Sequence, residues 1–177
     1  EDFEDLHLID TLNVTGGLGA IVLYAAKLLE ENPSIDPINL IEKIEAVVPK
    51  IRLAFLPGSL DFLKVGGRVS NLAYIGGALL KIKPCIELKE GKLVSTRKYR
   101  GNMSLVAEKL MRDYLEEYKI DRKQLYLIYS IGLDESVKRN MEEMAKEAGF
   151  ENVTWIQAGA MISTHAGPGG FGIAGIE

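Results

Sequence analysis

Cysteine, histidine and clustered charge are what this chain has least of. A single cysteine, Cys85, excludes an intrachain disulfide and fits a reducing compartment. The only histidines, His7 and His165, lie far from each other and from Cys85, so no metal-ligand spacing exists and no metal is expected. Lysine and arginine number 21 against 25 acids, a net charge of −4, and they are scattered. Without a basic patch the chain has no electrostatic footprint for gripping nucleic acid. No apolar run approaches the ~18 residues of a spanning helix, and the acidic stretch Glu1 to Asp5 resembles neither a signal nor a transit peptide. There is no GxSxG elbow and no GxxxxGK(S/T) phosphate loop. These absences point to a cytoplasmic protein without a transmembrane segment, a metal or a nucleotide site of its own.

What is present reads as α/β. Leu6 to Ile9 is an expected strand, and Gly16 to Leu29 an apolar helix with Ile21, Tyr24, Ala25 and Leu28 at helical spacing. Asp36-Pro37 is a cap followed by proline at the first helical position, and the helix it opens runs to Pro49. Ile51 to Leu56 is a strand stopped by Pro57-Gly58. After a short helix over 59–65, a second apolar helix is expected over Ser70 to Leu80. A hairpin then turns at Glu90-Gly91 between 82–88 and 92–99. Helices over 102–118 and from the Asp134 cap to Gly149 alternate with strands 125–130, 153–157 and 171–176. A seam is expected near 57–66. The two strands before it would make an incomplete half-sheet with open edges, so residues absent from this chain are expected to complete it. The start without methionine, directly in a strand-like run, fits that expectation.

Few side chains are placed for chemistry. Gly16, Gly17 and Gly19 open the first helix, where bare backbone amides and the helix dipole favour an anion; tight helix-on-strand packing explains them equally. His165 sits in Ser163-Thr164-His165-Ala166-Gly167-Pro168-Gly169-Gly170, a stiff glycine-rich turn suited to donating to a carboxylate or phosphate, or simply to turning. Arg68 and Arg100 each flank glycine, which suits a carboxylate, a phosphate or a partner's acid, or an ion pair between lobes. The helix over 70–80 is apolar nearly all round, as core or as the wall of a cavity. Ser163 lacks an orienting acid, and Cys85 follows Pro84 in a strand pattern where a buried, inert thiol is expected.

Taken in order, Ile9-Asp10-Thr11-Leu12-Asn13-Val14-Thr15-Gly16-Gly17-Leu18-Gly19, Leu63-Lys64-Val65-Gly66-Gly67-Arg68-Val69-Ser70, Ile82-Lys83-Pro84, Gly91-Lys92, Arg100-Gly101 and Thr164-His165-Ala166-Gly167-Pro168-Gly169 resemble the DegV family of bacterial fatty-acid-binding proteins. The resemblance implies a two-lobed α/β fold, with 1–62 a remnant of the N-terminal lobe and 63–177 the C-terminal lobe. It further implies a long-chain fatty acid in an apolar tunnel, its carboxylate met by His165 and Thr164, with Arg68 and Arg100 at the mouth or on a partner surface. A separate ATP-dependent fatty acid kinase subunit would phosphorylate the presented acid, so this chain would need no cofactor and no catalytic residue. Family members extend roughly a hundred residues further at the N-terminus and there supply a serine- and threonine-bearing loop for the carboxylate. Two other readings stand beside this one: a hydrolase or acyltransferase using Ser163 and His165, and a structural fragment without a ligand.

Overall fold

The structure, a computed structural model, describes residues 6–67 and 82–177. Arg68 and the helix expected over 70–80 fall outside the described residues. The described chain is mixed α/β. Its strands are β1 (Ile51–Leu56), β2 (Ile82–Lys89), β3 (Lys92–Arg100), β4 (Gln124–Tyr129), β5 (Asn152–Gln157) and β6 (Phe171–Ile176). They form one six-stranded sheet in the order β3-β2-β1-β6-β4-β5, antiparallel except between β4 and β5. The helices are α1 (Thr15–Glu31), α2 (Pro37–Val47), α3 (Leu60–Val65), α4 (Met103–Glu117), α5 (Glu135–Glu147) and α6 (Ala160–Ala166).

Local chemistry sets the element ends. The Asp36 carboxylate accepts from the amides of Ile38 and Asn39 at the start of α2, Asn102 accepts from Leu105 at α4, and Asp134 accepts from Ser136 at α5. Glu90 (φ 52°) and Gly91 (φ 72°) are two successive left-handed residues between the paired Lys89 and Lys92, which makes the two-residue hairpin turn. Alternate strand residues face opposite sides of the sheet. Ala54, Leu56, Leu125 and Leu127 pack with Val106, Leu110 and Met141 of α4 and α5. Leu53, Tyr126 and Ile128 pack with Ala20, Ile21 and Ile44 of α1 and α2. Both faces are covered, so β1 from Leu53 and β4 from Leu125 read as continuous apolar runs.

One expectation needs correction. Leu6 to Ile9 forms no strand, and Leu6 and Leu8 are exposed. A strand requires a neighbour to complete its ladder, and no described strand pairs with this run. β1, which precedes the expected boundary at 62/63, lies in the same sheet as the strands that follow it. β1 is hydrogen-bonded to β2 on one side and β6 on the other, so it is a central strand of a sheet built mainly from residues after 62. Among the described residues no helix is long and apolar enough to cross a membrane.

Candidate functional site

The glycine-rich segment before β6 is held from three sides. Gly167 (φ 72°) and Gly169 (φ 74°) adopt left-handed conformations that a side chain would strain. The Gly58 amide donates to the carbonyl of Ala166 at 2.8 Å. Gly58 also lies so close that a Cβ there would stand 1.8 Å from the Pro168 carbonyl oxygen. Lys83, whose ammonium pKa is lowered by burial, donates to the Gly58 carbonyl at 3.0 Å. From the end of β4, the buried Ser130 hydroxyl lies 2.5 Å from the carbonyl of Gly167 and accepts from the amide of Gly170 at 2.7 Å.

Beside this turn the sheet, α3, α6 and the start of α1 line a partly open cavity of about 220 Å³. Leu53, Phe55, Leu63, Leu88, Leu93 and Ile128 supply its aliphatic and aromatic wall. The polar side chains among its described lining residues are Thr15, Tyr129, Ser130 and His165. No acid, lysine or arginine is among them, and His165 supplies the one imidazole of the described lining. Its Nδ1 is buried without a hydrogen-bond partner and lies against Gly66, where a Cβ would come within 2.0 Å. A proton on Nδ1 would therefore be a buried, unpaired donor. The neutral ring is better carried as the Nε2–H tautomer, leaving Nε2 to donate to a ligand.

His165 lies in the last turn of α6, and the glycine turn expected to contain it begins at Gly167. Thr164 is exposed, donates to the carbonyl of Met161 at 2.7 Å and is not among the cavity's lining residues. The Ser163 hydroxyl is bonded to the carbonyl of Ala158 at 3.1 Å, so the Ser163–His165 pair of a hydrolase is not formed. Arg100 is exposed at the end of edge strand β3 and is not among those residues either. Gly16 and Gly17 are buried: a Cβ on Gly16 would meet Ile128 Cδ1 at 2.5 Å, and one on Gly17 would meet Asn13 Oδ1 at 2.3 Å. Both answer to packing at the start of α1, whereas Gly19 has ordinary room, 3.6 Å from Ile156. Cys85 is buried, and burial pushes its thiol up to about 12. Among the described residues no group of three or more His, Cys, Asp or Glu could hold a metal ion.

Two lining residues escape the sequence reading. Thr15 is β-branched yet held at φ 44°, a costly conformation of the kind that collects at functional sites. Its signal was the Thr-Gly-Gly opening of α1. Ser130 carries no motif; only the fold brings it to the turn.

A sequence profile described as "Uncharacterised protein, DegV family" matches residues 2–177. A DegV domain-containing protein of Deinococcus radiodurans is 30% identical over 169 residues, covering 94% of this chain and 58% of the relative. The solved structure of a DegV family protein from Thermus thermophilus, described for its fatty acid binding, matches with a TM-score of 0.80 at 27% identity, over 96% of this chain and 60% of that one. The fatty acid kinase B3 protein of Streptococcus pneumoniae, loaded with linoleic acid, matches with a TM-score of 0.82 over 96% of this chain and 59% of its own. At 20% identity that last likeness speaks for the fold alone. The chain thus spans less than two thirds of the length of these relatives.

Proposed function

The chain belongs to the DegV family, and on that premise we propose that its cavity takes part of the acyl chain of a long-chain fatty acid, with His165 meeting the carboxylate. The observation that carries this reading is a cavity whose described lining is almost wholly apolar and holds one imidazole, with one of its nitrogens already buried. Burying ~15 methylenes contributes roughly 12 kcal/mol of transfer free energy before the costs of immobilisation. An unpaired carboxylate would remove several kcal/mol of it, so donors are needed at one end. His165 Nε2 is the first donor and the Thr15 hydroxyl the second, in place of Thr164, which turns to Met161.

At about 220 Å³ the cavity is smaller than the ~300–1,000 Å³ of typical ligand pockets. A long acyl chain would therefore extend beyond this cavity. The protein binds and presents the acid, and the chemistry belongs to a partner: an ATP-dependent kinase subunit forming the acyl phosphate. Arg68 and Arg100 are assigned to the mouth or the surface offered to that partner. The test is to denature the purified intact protein and quantify extracted lipid. About one fatty acid per chain is expected; none, even after incubation with added fatty acid, refutes the proposal.

A further inference from the structure

We infer that Ser130 is a positioning residue, whose hydroxyl fixes the turn after α6 so that the His165 imidazole meets the ligand's carboxylate. The inference rests on the fatty-acid reading above and adds to it a residue from a different element. Ser130 is 2% exposed, and with Glu87 it makes up the buried polar residues of the described chain. Glu87 is occupied by Thr96 and Tyr118 on β3 and at the end of α4. Ser130 instead spans the turn, bonded through one oxygen to the Gly167 carbonyl at 2.5 Å and the Gly170 amide at 2.7 Å. Its own amide donates to the Gly170 carbonyl at 3.1 Å. The Gly167 peptide is held from the helix side as well, because its amide donates to Ser163. His165 lies two residues before Gly167, so the last turn of α6 is anchored where its carbonyl direction meets the Ser130 hydroxyl.

A small hydroxyl suits this place. An oxygen that donates and accepts at once serves both backbone groups, and an alanine serves neither. Gly167 and Gly170 would then be left with an unpaired acceptor and an unpaired donor beside a largely apolar wall, where water finds few partners. Restoring those bonds requires the turn to move, and the imidazole moves with it. The acyl chain, held by side chains on β1, β2, β3 and α3, does not depend on the turn in the same way.

The readout is the affinity ratio between palmitic acid and hexadecan-1-ol, measured by displacement titration on the intact protein. The two probes share a chain and differ in the end that His165 meets. Ser130→Ala is expected to lower the acid-to-alcohol ratio about tenfold, the scale of a hydrogen bond to a charged group. In a His165→Ala background the same substitution should leave the ratio within about twofold, because the group it acts through is gone. A ratio that Ser130→Ala leaves unaltered, or that falls equally in both backgrounds, overturns the inference and makes the serine a structural tie alone. Should Ser130→Ala fail to fold, Ser130→Cys keeps the size of the side chain with a weaker donor, and the same cycle decides. If the unaltered protein shows no preference for the acid, the reading of the site fails and this inference with it. A preference that Ser130→Ala retains defeats this inference only.

Discussion

Gly66→Ala should weaken binding of a carboxylate without unfolding the protein. Gly66 caps α3 at φ −72°, ψ −1°, a conformation open to any L-residue, so alanine adds no backbone strain. By narrowing the unfolded ensemble it contributes about 0.4–1 kcal/mol of stability. Its Cβ would stand 2.0 Å from His165 Nδ1 and 2.5 Å from Cε1. Carbon contacts settle near ~3.5–4.0 Å, so the ring has to retreat by on the order of 1.5 Å. A hydrogen bond to a carboxylate does not survive that displacement, and its loss is worth about 1.5–3 kcal/mol. The expected result is palmitate affinity reduced about 10- to 100-fold, with the gain from the unfolded state set against about 1–3 kcal/mol of crowding by the ring and the Phe62 carbonyl 3.2 Å away, so that the protein still folds and melts in one transition. Gly67→Ala is the control. Gly67 has φ +70° and, among the described residues, no atom within 4 Å of a Cβ, so alanine there costs about 1–2 kcal/mol of stability and meets no described ring. Displacement titration and thermal melting of both variants decide the matter. Palmitate bound as tightly by Gly66→Ala as before, or weakened equally by Gly67→Ala, would refute the reasoning.

At the start of α1, Gly16→Ala forces a methyl against Ile128 and should cost about 1–3 kcal/mol in chemical denaturation, while Gly19→Ala should be tolerated; equal effects would remove the packing explanation. The Cys85 thiol is raised mainly by burial from 9.0 to about 12 in the folded chain, so the protonated form is the one the fold favours. The stability it contributes is fully present below pH 9 and is lost as pH rises from about 9 to 12. Tyr99, Tyr114 and Tyr118, raised first by burial, act in the same direction. Thiol titration at pH 8 should find Cys85 inert until denaturant is added, and rapid modification of the folded protein would contradict its burial.

Short-range signals were legible in the sequence and long-range ones were not. Asp36-Pro37, Asn102 and Asp134 announce α2, α4 and α5 because a cap acts on amides two or three residues away. Glu90-Gly91 announces the hairpin for the same reason. The run Leu6 to Ile9 looks like a strand by composition, but a strand is made by its partner. Apolar β1 reads as part of a separate half-sheet until its pairing with β6 is seen. The short helix α6 runs into the glycines 167, 169 and 170, so His165, just before them, reads as a turn residue. Periodicity gave no means of finding the cavity, since Leu53 and Ile128 belong to the α1–α2 core and also line the cavity.

The place of β6 has a consequence for how this protein comes into being. It follows every other described strand along the chain, yet it lies between β1 and β4 and completes the ladder on both sides. Until residues 171–176 leave the ribosome, the strands β1 and β4 lack the partner that pairs their inner edges, and their N–H and C=O groups there stay unpaired. Their union depends on contacts between distant parts of the chain, the slow and aggregation-exposed kind. A nascent chain that stalls a few residues short would therefore expose both inner edges at once, a natural target for holding chaperones.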